Sequence, residues 1–112
     1  MAQDQTDILR ELMSVIQDRK SNPSEKSYTA SLFRKGLPKI GAKVLEEANE
    51  VVEAASEPGE EGRQHTIYEA ADVIYHLFVL MANNDIRLED VEQELAKRFG
   101  ISGLEEKASR TQ

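Results

Sequence analysis

The sequence predicts an all-α protein, a bundle of four to five helices. Apolar residues recur at three- and four-residue spacing along most of the 112 residues, which is the period of an amphipathic helix. Glycine and proline fall mainly between these periodic segments, where they interrupt helices. No stretch shows the strict alternation of a half-buried strand.

The first half of the chain contains three predicted helices. The first runs from about Asp7 to Lys20, with Thr6 as its N-cap, and Ser21–Ser24 forms a turn-rich connector. A short helix from about Tyr28 to Arg34 is stopped by Gly36, and Pro38 then occupies the first position of the third helix. The first helix has these residues on its expected buried side: Ile8, Leu9, Leu12, Met13, Val15 and Ile16.

The second half contains two further helices and a tail. The third helix ends near Ala55, a loop covers Ser56–Gly62, and the fourth helix runs from about His65 to Asn83–Asn84, which suit a left-handed cap. The fifth helix, Leu88–Phe99, ends at Gly100, and Ser102 to Glu105 form a capping box that opens a last turn. We expect one domain over residues 1–112, with a helical core of about 7–100 and a short tail, 101–112.

Composition excludes several classes of function. The net charge of −7 disfavours a nucleic-acid-binding surface, which is basic. The sequence has no cysteine, which removes disulfides and thiolate chemistry and is compatible with the cytoplasm. The polar N-terminus does not resemble a secretory or transit peptide, and no apolar run reaches membrane-spanning length. We therefore expect a cytoplasmic protein without membrane or nucleic-acid partners.

Paired acids mark the third and fourth predicted helices. Glu47 and Glu50 point to one side of the first of these helices, about 60° apart, and Glu69 and Asp72 do the same on the second. The stretch from Ala70 to Ala82 is otherwise almost entirely apolar, so its acids are expected to be partly buried. Like-charged carboxylates on facing helices raise one another's pKa unless a counter-charge enters. The simplest counter-charge is a divalent cation.

These acids also have an ordinary interpretation. Acidic residues at helical spacing, as in the segment from Glu46 to Glu53, usually form a solvated helix face. Glu69 and Asp72 lie inside a nearly apolar helix, however, where a solvated face is not expected. The two segments together therefore favour a metal site.

Several segments resemble a known family. The motif formed by Glu47, Glu50, Glu69 and Asp72 is similar to the metal-binding signature of the all-α, MazG-like nucleoside triphosphate pyrophosphohydrolases. Four longer segments resemble, within that superfamily, the phosphoribosyl-ATP pyrophosphohydrolases of histidine biosynthesis: 27–36, 43–51, 69–76 and 103–110. The likeness covers nearly the whole chain after about Asp7.

The resemblance implies a reaction and a cofactor. Phosphoribosyl-ATP and water would give phosphoribosyl-AMP and pyrophosphate, with Mg²⁺, or Mn²⁺ as a substitute, because both prefer oxygen ligands. The implied metal ligands are Glu47, Glu50, Glu69 and Asp72. Glu46 and Glu47 are the implied catalytic residues, with Glu46 as a water-activating or outer carboxylate.

Basic residues provide candidates for phosphate binding. Lys43 lies one turn before Glu47 and can either pair with it or reach a phosphate. The candidate substrate-binding residues are Arg34, Lys35, Lys39 and Lys43, near the third helix's N-terminus, which favours anions, and Lys107 and Arg110 in the tail. His76 and its neighbour Tyr75 are expected to support the orientation of Asp72, although a lone histidine in an apolar helix is more often a core residue.

Two other functions remain open, together with the oligomeric state. One is a house-cleaning or dUTP-type nucleotide pyrophosphatase with the same acids. The other is a non-catalytic helical dimerisation module, in which the acids pair with lysines across an interface. The apolar helix from Ala70 to Ala82 needs covering on nearly all sides, so we expect self-association, most simply as a homodimer.

Overall fold

The computed structural model describes residues 8–99 and contains five α-helices. They are α1 (Ile8–Ser21), α2 (Tyr28–Lys35), α3 (Leu37–Ala55), α4 (Gly59–Asn83) and α5 (Leu88–Phe99). This confirms the all-α prediction, and residues 8–99 contain no strand. The predicted cap Thr6 and the predicted turn at 102–110 lie outside the described residues. Within residues 8–99, no helix is long and apolar enough to cross a lipid bilayer.

The predicted helix boundaries in the first half are close to those observed. Ser27 caps α2, since its Oγ accepts a hydrogen bond from the Ala30 N–H at 3.0 Å. Gly36 ends α2 with a φ of 80° and donates its N–H to the carbonyl of Leu32 at 2.9 Å. Pro38 lies in the first turn of α3, one residue after its first helical residue. Glycine is favoured at Gly36 because the backbone is left-handed there.

The prediction of a loop over Ser56–Gly62 is wrong, because α4 begins at Gly59 rather than near His65. Gly62 is buried in the first turns of α4 and lies against the backbone of Glu57. A Cβ atom at this position would stand 2.1 Å from the carbonyl oxygen of Glu57. The glycine therefore permits a close approach of two backbone segments and does not mark a loop.

The C-terminal cap of α4 also differs from the prediction. The left-handed residue is Asp85, with a φ of 58°, rather than Asn83 or Asn84. The N–H of Ile86 donates to the carbonyl of Met81 at 2.8 Å, which is the long bond of a Schellman motif. Lys20 of α1 fixes this cap, since its Nζ donates to the Ala82 carbonyl and to Asp85 Oδ1, both at 2.8 Å.

α3 and α4 form the largest helix–helix contact, and α1 and α2 pack against this pair. The three-residue connection between α3 and α4 makes them antiparallel neighbours. The hydrophobic core lies where the N-terminal half of α3 meets the C-terminal half of α4. Its buried residues are Met13, Ile16, Leu32, Ile40, Phe78, Val79, Met81, Ala82 and Leu88. The paired acids lie near the middle of α3 and α4, beside this core.

Part of the predicted core is exposed in the single chain. On α1 only Met13 and Ile16 are buried, whereas Ile8, Leu9 and Val15 are exposed. On α5 only Leu88 is buried, and the rest of the apolar side of α5 faces solvent. Helical periodicity identifies an apolar face correctly, but it does not say whether the same chain covers that face.

Candidate active site

The antiparallel packing of α3 and α4 brings five acids together. We call Glu46, Glu47, Glu50, Glu69 and Asp72 the carboxylate cluster. Ligand oxygens of Glu46, Glu47 and Glu50 lie within 4.8 Å of one another, and so do those of Glu47, Glu69 and Asp72. Glu47 belongs to both groups and therefore joins the acids of α3 to those of α4. The role of these acids as metal ligands stays a prediction.

Burial makes two of these acids unusual. Glu47 and Glu69 are each only 6 % exposed, whereas glutamate is rarely buried without a partner. The Oε2 atoms of both residues are buried and have no hydrogen-bond partner among residues 8–99. An orphaned buried carboxylate oxygen is costly, and a bound cation would remove that cost. The donor set therefore fits an oxygen-coordinated divalent ion.

The pKa of Glu69 reflects this environment. Burial is the main cause that raises the pKa of the Glu69 carboxyl to about 7, and the neighbouring Glu50 and Glu47 contribute to the same rise. Without a cation, the carboxylate cluster therefore holds a proton near neutral pH that an isolated glutamate would have lost. A strongly shifted carboxyl at a polar site is typical of functional sites.

Among the lysines and arginines of residues 8–99, Lys43 is the one that pairs with the carboxylate cluster. Its Nζ lies 3.2 Å from Glu46 Oε2 and 3.7 Å from Glu47 Oε1. The hydrogen bond to Glu46 is the main reason that the pKa of Lys43 is raised. In this state Lys43 pairs with both acids, which is the first of the two alternatives that the sequence left open.

The other basic candidates surround the start of α3. Arg34 and Lys35 lie at the end of α2, Lys39 lies in the first turn of α3, and all three are exposed. Lys39 precedes Glu47 by eight residues, which is about 12 Å of helix. Among residues 8–99, none of these three forms an ion pair within 4.0 Å. Lys107 and Arg110 lie outside the described residues.

His76 contacts Asp72 differently from the prediction. The ring is 4 % exposed, and its Nδ1 lies 3.0 Å from the backbone carbonyl of Asp72, not against the carboxylate. Because a carbonyl only accepts, Nδ1 carries the proton. In the neutral ring Nε2 then accepts a hydrogen bond from the hydroxyl of Tyr28 at 3.2 Å. That His76 supports the orientation of Asp72 stays a prediction, and any such effect acts through the backbone.

Tyr75 connects α4 to α2. Its hydroxyl is hydrogen-bonded to that of Thr29, and its ring stacks on Tyr28 with the ring centroids 6.4 Å apart. Burial raises the pKa of Tyr75, so the phenol stays protonated at neutral pH. Sequence reasoning placed Tyr28 and Thr29 within a matching segment but gave them no role, since no local pattern reveals a contact between distant helices.

Sequence reasoning missed His65 and Glu57 altogether. His65 Nδ1 lies 2.9 Å from Glu57 Oε1, and Nε2 lies 3.4 Å from Glu69 Oε1. The hydrogen bond to Glu57 is the main cause that raises the pKa of His65. The signal was the four-residue spacing from His65 to Glu69, which becomes meaningful only because α4 begins at Gly59 and His65 is inside the helix.

Fold and site together define an all-α protein with a carboxylate-lined site that is able to hold a cation. Comparison with known proteins gives the family. Residues 9–99 match the model of the PRA-PH family, described as phosphoribosyl-ATP pyrophosphohydrolase. The chain belongs to this family.

Relatives of similar length match most of the chain. The phosphoribosyl-ATP pyrophosphatase of Rhodopirellula baltica is 54 % identical over 102 residues, which cover 91 % of this chain and 85 % of that protein. The proteins of the same name from Geotalea daltonii and Geobacter sulfurreducens are each 50 % identical. These two matches cover 93 % and 95 % of this chain, respectively, and 95 % of each relative.

Proposed function

We propose that this chain hydrolyses phosphoribosyl-ATP to phosphoribosyl-AMP and pyrophosphate, the second step of histidine biosynthesis. Its family membership and the names of its relatives support this substrate. The observation that carries the chemistry is the burial of Glu47 and Glu69 beside Asp72. Glu47 and Glu69 each have a carboxylate oxygen that lacks a hydrogen-bond partner within residues 8–99. A purely structural pair of helices gains nothing from such an arrangement.

The proposed cofactor is Mg²⁺, with Mn²⁺ as a possible substitute. Glu47, Glu50, Glu69 and Asp72 would hold it, because hard divalent cations prefer carboxylate oxygens. When bound, such an ion neutralises phosphate charge and makes water a better nucleophile at neutral pH. The fit is supported by a donor set made only of oxygens and by the orphaned Oε2 atoms of Glu47 and Glu69.

Glu46 is the proposed proton acceptor. Its side chain is 53 % exposed, and Lys43 occupies only one of its oxygens, Oε2. Oε1 is therefore available to take a proton from the attacking water. The oxygen of that water bonds to a phosphorus of the α–β bridge, the bond from that phosphorus to the bridging oxygen breaks, and the electron pair leaves with the phosphate group that carries the bridging oxygen. Glu47, the second proposed catalytic residue, joins the two groups of acids beside this water.

Basic side chains are proposed to bind the phosphates. Lys43 is closest to the acids and would exchange one carboxylate partner for a phosphate oxygen. Arg34, Lys35 and Lys39 are exposed beside the N-terminal end of α3, where the helix dipole also favours an anion. Lys107 and Arg110 stay predictions that rest on the sequence resemblance.

The experiment is a pyrophosphate-release assay with phosphoribosyl-ATP, dATP and dUTP, with Mg²⁺ and with a chelator. Native protein and Asp72→Asn are compared. We expect turnover of phosphoribosyl-ATP alone, dependent on Mg²⁺ and reduced at least about a hundredfold in the variant, because a lost ligand costs several kcal/mol in the transition state. Turnover of dATP or dUTP instead would favour the house-cleaning alternative. No turnover of any substrate would leave the acids with a structural role.

We also propose that the protein is a homodimer. Apolar residues of α1 and α4 line an open groove of about 430 Å³, which we call the α1–α4 groove. Its lining is Ile8, Leu9, Glu11, Leu12, Val15, Ala71 and Ile74. An apolar surface of this kind marks an interaction site, and a second copy of the chain is the proposed occupant. A cytoplasmic location stays a prediction from the sequence.

A further inference from the structure

His65 lies between two carboxylates, one on each side of its ring. Its Nδ1 is 2.9 Å from Oε1 of Glu57, which precedes α4. Its Nε2 is 3.4 Å from Oε1 of Glu69, which belongs to the carboxylate cluster. Because the two ring nitrogens point in opposite directions, both contacts together restrict the orientation of the imidazole.

The backbone of Glu57 is held in place by contacts with α3 and α4. Its N–H donates to the carbonyl of Ala54 at 3.0 Å, which continues the end of α3. Gly62 of α4 packs so closely on Glu57 that no side chain fits between them. The connection between α3 and α4 therefore determines where the Glu57 carboxylate stands relative to His65.

The contact with His65 involves only one of the two carboxylate oxygens of Glu69. Oε1 faces His65, whereas Oε2 is buried and has no hydrogen-bond partner in the described part of the chain. A carboxylate held through one oxygen presents the other in a defined direction, which is how groups outside a metal site orient its ligands. Glu69 is one of the three acids whose ligand atoms lie within 4.8 Å of one another.

We propose that His65, anchored by Glu57, is a positioning residue that orients the Glu69 carboxylate within the carboxylate cluster. The inference rests on the proposed function, because it assigns Glu69 to a cation site. It extends the site beyond the two acid-bearing motifs to the α3–α4 connection. His65 acts through Glu69 and does not itself contact the substrate or the ion.

Two simpler roles make different predictions. If His65 and Glu69 form only a surface pair one helical turn apart, their loss affects stability slightly and leaves cation binding unchanged. If His65 binds the cation directly, its loss weakens binding but the loss of Glu57 does not. Positioning requires both residues, so both substitutions weaken binding and their effects do not add.

The test is a titration of metal-free, full-length protein with Mn²⁺ alone, in which electron paramagnetic resonance measures the free ion. The variants are His65→Ala, Glu57→Ala and the double variant. Arg63→Ala and Glu60→Ala are matched controls, because they remove a positive and a negative charge from the same turn. Arg63 and Glu60 pair with each other at 3.8 Å, and Glu60 also accepts a hydrogen bond from Gln64 at 2.9 Å. Circular dichroism verifies that each variant keeps its helices.

We expect the Mn²⁺ dissociation constant to rise about tenfold in each single variant, the usual effect of removing a residue that supports a ligand. The double variant should bind Mn²⁺ no more weakly than the single variant with the weaker binding. Both controls should bind Mn²⁺ like the native protein. The proposal would be overturned if His65→Ala bound Mn²⁺ like the native protein. It would also be overturned if His65→Ala bound Mn²⁺ weakly while Glu57→Ala bound it like the native protein. If the native chain bound no Mn²⁺, the proposed metal centre itself would fail, a distinct result.

Discussion

Glu47 of α3 and Glu69 of α4 both belong to one group of acids, and each has a buried Oε2 atom that finds no hydrogen-bond partner between residues 8 and 99. Two buried acids in one group destabilise a folded chain through desolvation and repulsion. The apolar contacts of Ile40, Phe78 and Val79 on the same two helices compensate for this cost. Folding energy from this apolar region therefore maintains an unfavourable arrangement of acids elsewhere on α3 and α4.

Stability of the metal-free protein should depend on pH through Glu69. Its pKa is raised from 4.5 to about 7 in the folded chain. A raised folded-state pKa contributes stability that is fully present below pH 4.5 and is lost as the pH rises through about 7. The raised pKa of His65 acts in the same direction. We expect the melting temperature of the metal-free chain to fall between pH 5 and pH 8.

Thermal unfolding at several pH values, with and without Mg²⁺, checks this expectation. Glu69→Gln removes the titrating group while keeping its shape, so its melting temperature should change less with pH than that of the native protein. Saturating Mg²⁺ should also reduce the dependence, because the ion supplies the missing counter-charge. An identical pH dependence in Glu69→Gln and the native chain would contradict the assigned pKa.

Neutralising Glu47 should separate stability from cation binding. Glu47→Gln removes a buried charge from the carboxylate cluster, so the metal-free variant should be at least as stable as the native chain. Mg²⁺ at a hundred times its dissociation constant stabilises a binding protein by about 2.7 kcal/mol, and the variant should lose most of that gain. Glu53→Gln, an exposed acid on the same helix, should keep the full gain. Loss of stability in metal-free Glu47→Gln would contradict this account.

Two glycines of the α3–α4 pair should respond in opposite directions to alanine. At Gly62 a Cβ would meet the Glu57 carbonyl oxygen at 2.1 Å, so Gly62→Ala should destabilise the protein by about 1–3 kcal/mol. At Gly41, inside α3, an added Cβ would meet nothing within 4 Å in the described residues beyond the neighbouring backbone of its own helix. Gly41→Ala should therefore stabilise the protein by about 0.5–1 kcal/mol. Urea unfolding measures both changes, and destabilisation by Gly41→Ala would be the contrary result.

The sequence allowed most of the helices to be predicted, because Gly36, Pro38 and the apolar periods are local signals. Gly62 shows where such reasoning stops. A glycine among acidic residues after a proline is typical of a loop, and only the close approach to Glu57 explains its place inside α4. Asp85 was missed as the left-handed cap for a similar reason, since Lys20 from a distant helix pairs with it at 2.8 Å.

The candidate site was predictable where it depends on spacing within a helix. Glu47 and Glu50, like Glu69 and Asp72, share a face because three residues span almost one turn. The side chains that contact His65 and His76 were not predictable, because they come from other parts of the fold. Glu57 reaches His65 from the connection between α3 and α4, and Tyr28 reaches His76 from α2. Contacts of this kind depend on tertiary packing, which one sequence does not specify locally.

A charge in the α1–α4 groove should prevent self-association. Ile74 lines this groove on α4 and is 39 % exposed in the single chain, so Ile74→Asp would bury an unpaired carboxylate in a dimer, which costs several kcal/mol. Leu45→Asp on α3, at a position that is 70 % exposed and outside the groove, is the matched control. Sedimentation at micromolar concentration should show dimers for the native chain and Leu45→Asp, and monomers for Ile74→Asp. A native monomer, or a dimer that persists in Ile74→Asp, would exclude this groove as the interface.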